Sequence, residues 1–320
     1  MNDKPVKRAF YVGVMIGYPQ KVVIEEQGLR DGLQNEKRFV PTGQKLKLIR
    51  AIVDAGINRI QVTSFVHPEW VPQMADAEAV CKGLDRSPDV LYSALVLNAR
   101  GLERATESGL EHVSLSISTS DTHSRKNTNA SLPEARKQIS KMIKLGLSHG
   151  LIVRGGLQCV FGCRFEGRID PGVVFDMLKE QLDLGIDEIT LADSTGMSNP
   201  LSVQEIAARA LELCENKPLF LHLHDTEGKG LANALIAMQV GVTHFDTAFG
   251  GAGGCPLIKG ASGNIATEDL AFMLGQMGIK TGVDVDKIAT LSRSLEAFFN
   301  KPFSGKMHRV IDRKDIQFIC

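Results

Sequence analysis

Two histidines one residue apart, in Leu221-His222-Leu223-His224-Asp225, carry the strongest chemical signal in the chain. On an extended strand, residues two apart project from the same face, so both imidazoles can reach one metal ion. The competing reading is a pair of hydrogen-bonded core histidines. Asp31 lies just past the first β-type run and Asn264 just past the last. In a closed barrel the first, seventh and eighth strands are neighbours, which would gather Asp31, His222, His224 and Asn264 around one point. Two imidazoles, two oxygens and open positions for water suit a divalent cation. Mg, Mn and Zn all fit, and ligand type alone does not choose among them.

Other reactive types fall in the same places. Arg30 adjoins Asp31 and is positioned to hold a carbonyl or enolate oxygen. Asp193 ends a strand. Cys255 sits in a run, Gly250-Gly251-Ala252-Gly253-Gly254-Cys255-Pro256, so rich in glycine that it must move or let backbone approach a ligand closely. A thiol on such a lid could exchange a proton with a substrate. Lys37, in Asn35-Glu36-Lys37-Arg38, could meet the phosphates of a large substrate, although most lysines simply solvate a surface.

Residues so far apart in sequence need a scaffold that converges them. From residue 21 the chain alternates short β-branched runs with longer amphipathic stretches. The pattern predicts strands near 22–26, 58–63, 90–96, 111–117, 151–159, 187–192, 219–223 and 243–247. Helices are predicted near 42–55, 73–84, 98–108, 131–148, 171–184, 201–215, 228–240 and 265–277. Thr42, Ser131 and Thr267 stand at expected N-caps, and pairs such as Ala55-Gly56 and Leu184-Gly185 stand at helix ends. Eight strand-helix units make an α/β fold, a (β/α)8 TIM barrel, whose active site lies at the C-terminal ends of the strands. The alternative, a doubly wound open sheet, wants Gly-x-Gly-x-x-Gly after its first strand, whereas this chain reads Gln27-Gly28-Leu29-Arg30-Asp31-Gly32. The expected organisation is an N-terminal extension over 1–20, the barrel over 21–283, and a C-terminal helical cap over 284–320 on the same domain.

Composition excludes several classes. With 320 residues, 43% hydrophobic and 23% charged, disordered, collagen-like and coiled-coil readings fall away. Lys plus Arg and Asp plus Glu are each 37, so neither a nucleic-acid nor an anionic-membrane footprint is expected. Six cysteines in so long a chain do not make a disulfide scaffold, and a reducing, cytoplasmic setting fits better. Lys7 and Arg8 before the stretch 9–17 resemble a short export signal but lack its cleavage site.

Leu29-Arg30-Asp31-Gly32-Leu33-Gln34-Asn35-Glu36-Lys37, Trp70-Val71-Pro72-Gln73-Met74, His222-Leu223-His224-Asp225-Thr226 and Gly260-Ala261-Ser262-Gly263-Asn264-Ile265-Ala266-Thr267-Glu268-Asp269-Leu270 strongly resemble the 3-hydroxy-3-methylglutaryl-CoA lyase family. The resemblance spans residues 21–285. It implies that Asp31, His222, His224 and Asn264 bind the cation, that Arg30 stabilises an enolate, and that Cys255 takes part in proton transfer. Asp193 matches a position important for activity. Lys37 and Arg154 match positions associated with structure or with the CoA moiety. The implied reaction is a retro-Claisen cleavage of hydroxymethylglutaryl-CoA to acetyl-CoA and acetoacetate, in a homodimer. Two alternatives stay open: cleavage of citramalyl-CoA to acetyl-CoA and pyruvate, and a condensing synthase. The chain departs from the family in strand 2, where Gln61 replaces a catalytic glutamate. An amide keeps the shape but carries no charge and cannot act as a base. Arg164 likewise stands where the family usually has proline, a cation expected at the strand 5 mouth.

Overall fold

The structure, a computed structural model, describes residues 17–254 and 263–311. Nine parallel strands run β1 (Val23–Glu26), β2 (Arg59–Phe65), β3 (Leu91–Val96), β4 (His112–Leu115), β5 (Ile117–Ser118), β6 (Ile152–Gln158), β7 (Glu188–Asp193), β8 (Leu219–Leu223) and β9 (His244–Thr247). β5 continues β4 after one residue, and β6 pairs with both, so the sheet occupies eight positions. The β4–β6 pairing closes it into a barrel, and β9 lies between β1 and β8. The neighbours expected of the first, seventh and eighth strands are therefore present as β1, β8 and β9.

Helices follow the strands: α1 (Thr42–Asp54), α2 (Ala77–Lys82), α3 (Ala99–Glu107), α4 (Asp121–Thr128), α5 (Leu132–Ser148), α6 (Pro171–Asp183), α7 (Pro200–Cys214), α8 (Gly230–Gln239) and α9 (Thr267–Gln276). Two more, α10 (Val285–Phe299) and α11 (Met307–Val310), form the expected C-terminal addition. Ser131 closes a capping box with Glu134 as predicted. Thr42 and Thr267 do not cap. Each is the first helical residue, and its hydroxyl reaches elsewhere, Thr42 to Asp76 and Thr267 to Glu26. The pattern also missed α4, whose eight residues bury only His123 and Ser124 and so carry little apolar periodicity.

Barrel interiors of this class are usually layers of branched aliphatics. Here much of the interior is ionic. Arg154 on β6 is 1% exposed, with its guanidinium 2.8 Å from Glu25 on β1 and 2.5 Å from Asp246 on β9. Arg59 on β2 joins Glu25 to Glu188 at 3.1 and 2.6 Å. Both guanidinium groups lie over the Phe220 ring, at 3.7 and 4.9 Å from its centre. Buried charges are tolerated only when paired in this way. The pairs tie β1, β2, β6, β7 and β9 together directly beneath the residues at the strand ends, while Leu219, Leu221 and Leu223 of β8 alternate with the inward-facing Phe220 and His222.

Candidate metal centre and active site

The first turn after β1 is a π-helix, Gly28–Gly32, an element often found at functional sites. Gly28 is required there, since a Cβ would lie 2.5 Å from the Phe249 ring and 2.7 Å from Glu26 Oε1. That turn presents Asp31 to the barrel mouth. Its Oδ2 accepts from Asn264 Nδ2 at 2.7 Å and lies 3.8 and 3.7 Å from the Nε2 atoms of His222 and His224. The two Nε2 atoms face each other at 3.2 Å. Two ring nitrogens and a carboxylate oxygen thus point into one small space, and all three residues are buried.

Asn264 completes the set. It forms a bridge with His224, with its Nδ2 also held by the Ala252 carbonyl at 2.9 Å. Its Oδ1 is buried with no hydrogen-bond partner among the described residues. A buried acceptor left without a donor costs free energy unless a ligand claims it, and a hard cation is such a ligand. The donor set therefore fits a divalent metal at Asp31, His222, His224 and Asn264.

The surroundings orient these groups. Asp246 Oδ2 stands 3.2 Å from His222 Nδ1, the carboxylate-imidazole pair that fixes a ligating nitrogen. Asp31 is buried, which would push its pKa up, but Arg30 and the two imidazoles outweigh burial and hold it well below the ordinary carboxylate range. Asp246 likewise lies low despite burial, because Arg154 faces it. Both are carboxylates at neutral pH.

Arg30 lines a cavity of about 590 Å³ over the ligands, together with Gln61, Trp70, Leu97 and Asn127. It donates from Nη1 to Asp31 at 2.7 Å, from Nη2 to Gln27 at 3.0 Å and from Nε to Gln61 Oε1. Gln61 in turn donates to Ser114 Oγ at 3.0 Å. The amide thus spends its oxygen on Arg30 and its nitrogen on β4, and leaves Asp31 as the carboxylate paired with the guanidinium.

Four expectations change in detail. Asp193 is buried beneath the site, but its oxygens accept from the backbone N–H groups of Met197 and Ser198 at 3.0 and 3.1 Å and from the Ser198 hydroxyl. It holds the turn after β7 and is not among the residues that line the cavity. Arg154, expected to serve structure or the CoA moiety, pairs with Glu25 and Asp246 in the barrel interior and also lines the cavity. Lys37 is exposed outside the cavity lining. Arg164 pairs with Glu227 at 2.6 Å on the surface and adds no cation to the cavity. Cys255 lies outside the described residues; its neighbour Gly254 lines the cavity, with its carbonyl bonded to Asn35 Nδ2.

Sequence reasoning missed Glu25, Gln27, Ser114 and Asp246. Asp246 had a signal: a carboxylate inside the apolar strand His244–Thr247 must be paired when that strand is central.

The fold and site define a TIM barrel with a buried donor set that could hold a metal ion at the C-terminal ends of its strands. Its sequence goes further, because the HMGL-like family model matches residues 21–295. The chain belongs to that family. The mitochondrial hydroxymethylglutaryl-CoA lyase of Macaca fascicularis is 40% identical over 94% of this chain and 92% of its own. The crystal structure of the Bacillus subtilis HMG-CoA lyase superposes with a TM-score of 0.88 at 40% identity, over 92% of this chain and 98% of that one. An HMG-CoA lyase from A. baumannii, solved with coenzyme A and 3-methylmalate, gives a TM-score of 0.88 at 38% identity over 93% and 97%.

Proposed function

We propose that this protein cleaves 3-hydroxy-3-methylglutaryl-CoA to acetyl-CoA and acetoacetate with a divalent cation, Mg or Mn, held by Asp31, His222, His224 and Asn264. The observation that carries the reading is the convergence of three buried donor residues beside an acceptor with no hydrogen-bond partner among the described residues, directly under a cavity lined by Arg30. When bound, such a cation supplies Lewis acidity that lowers the pKa of a tertiary hydroxyl. The hydroxyl would give up its proton to a base at the site, the C2–C3 bond would break, C3 would become the ketone of acetoacetate, and the electron pair would pass to the thioester as an enolate.

Arg30 is the group for that enolate oxygen. Three of its five N–H donors are taken among the described residues, and the guanidinium still lines the cavity. Gln27, Asp31 and Gln61 fix its plane from three sides, so little reorganisation is needed as charge develops. Cys255 is assigned to protonate the enolate carbon, Asp193 to hold the turn after β7, and Lys37 to the outer, CoA-facing surface. Arg154 acts through Asp246 by fixing the carboxylate that orients His222.

Gln61 favours a test of a second substrate, since the loss of one negative charge next to Arg30 alters what the site attracts. Incubating the pure protein and Mg²⁺ or Mn²⁺ with hydroxymethylglutaryl-CoA and with citramalyl-CoA, and identifying the keto acid, decides between acetoacetate and pyruvate. Condensation of acetyl-CoA with a keto acid, assayed alongside, tests the synthase direction. Failure to turn over either thioester with metal bound would remove the lyase reading. A cytoplasmic homodimer is part of the same proposal. Sedimentation of the pure protein tests the dimer. No helix among the described residues is long and apolar enough to cross a membrane.

A further inference from the structure

The C-terminal helix α11 is linked to the candidate metal centre through hydrogen bonds to the Gly250–Gly251 turn and the backbone that follows it. His308, 0% exposed, stands between two carboxylates: Nδ1 lies 2.9 Å from Glu268 on α9 and Nε2 lies 3.1 Å from Glu296 on α10. Glu268 accepts the Gly250 N–H at 3.1 Å. From the same tail, the Gly305 N–H donates to the Gly250 carbonyl at 2.8 Å and the Ser304 hydroxyl to the Gly251 carbonyl at 3.0 Å. The turn is therefore gripped at its amide and at two successive carbonyls.

What the turn carries is the metal site. The next carbonyl, that of Ala252, holds the Asn264 amide at 2.9 Å, and that amide donates to Asp31. Gly253 passes so close that a Cβ there would lie 2.7 Å from Asn264 Nδ2 and 3.0 Å from Asp31 Oδ2. A change in the grip on Gly250 and Gly251 is thus transmitted within two residues to a proposed ligand.

We propose that His308 and Ser304 are positioning residues for the metal centre: His308 locks Glu268 onto the Gly250 amide, Ser304 locks the Gly251 carbonyl, and together they set the orientation of Asn264. The inference rests on the metal assignment above, and goes beyond it by making the C-terminal tail part of the active site. Buried groups that orient ligands commonly change metal affinity about 10- to 100-fold when altered.

The test is His308→Gln and Ser304→Ala in the full chain, with Mn²⁺ affinity measured by isothermal titration, thermal melting, and steady-state kinetics on hydroxymethylglutaryl-CoA. The expected result for His308→Gln is a Mn²⁺ Kd raised about 10-fold and a lowered kcat, with KM for the thioester within about twofold. Ser304→Ala, which removes one partly buried bond and leaves the fold intact, is expected to move Kd and kcat in the same direction by about threefold. Wild-type Kd in folded Ser304→Ala overturns the proposal, even should His308→Gln fail to fold. A folded His308→Gln with unchanged Kd also overturns it. If wild type binds Mn²⁺ but cleaves no hydroxymethylglutaryl-CoA, the functional proposal fails while the affinity measurements still decide this one.

Discussion

Replacing Asp246 with Asn tests the ionic interior and the metal centre together. Asp246 receives Arg154 at 2.5 Å on one oxygen and His222 Nδ1 at 3.2 Å on the other. Asn keeps the shape, retains an oxygen for one of the two donors and loses the charge. Stripping one partner from a buried pair costs about 3–5 kcal/mol. Asn is milder, because Arg154 keeps Glu25 at 2.8 Å, so a loss of about 1–3 kcal/mol is expected from urea unfolding. The larger signature is in metal binding. Loss of the carboxylate that fixes a ligating imidazole lowers affinity about 10- to 100-fold, or about 1.4–2.7 kcal/mol. Isothermal titration of Mn²⁺ into Asp246→Asn reads it directly. Glu25→Gln is the control: it also weakens the grip on Arg154 but does not touch His222, so it should lose stability and keep its Mn²⁺ affinity. A folded Asp246→Asn protein that binds Mn²⁺ as wild type does, or a Glu25→Gln protein that loses affinity equally, would refute this division of labour.

Glu26 is buried under the π-helix, and burial pushes its pKa from 4.5 up to about 8 against the donors Thr267, Gly28 and Phe249. Between those values the folded protein keeps a proton that the unfolded chain has released, so stability should fall as pH rises through that window and level off above it. Glu26→Gln should melt like wild type near pH 5 and well above it at pH 9 in a thermal scan. Gln61→Glu would keep the contact with Arg30 and add a charge; we expect higher kcat on hydroxymethylglutaryl-CoA, measured against citramalyl-CoA to show whether the amide sets substrate choice. Gly253→Ala places a methyl 2.7 Å from Asn264 Nδ2, at a φ of +110° that side chains rarely adopt, and should lower Mn²⁺ affinity at least tenfold in the same titration.

Much of this protein is legible along the chain, because its informative patterns are short. The βα alternation repeats within windows of ten to twenty residues, and the boundaries of β8 at 219–223 are those the apolar pattern predicts. The same holds for His222 and His224, whose common direction follows from two-residue spacing on a strand. Barrel adjacency offers Asp31 and Asn264, and the place beside Asp31 offers Arg30, before any family motif is weighed. What tertiary structure alone decided is which charges meet. Nothing local to Arg154 says that it spans the barrel to Glu25 and Asp246, 129 positions before it and 92 after. Nothing local to Asp193 says that its oxygens are consumed by the following turn, and nothing local to His308 links it to a glycine turn 58 residues earlier. A hydrogen bond is satisfied within about 3 Å of space, with no regard to distance along the chain. Pairing among buried charges is therefore a property of closure, and in this barrel closure separates the groups that face the substrate from those that hold them in place.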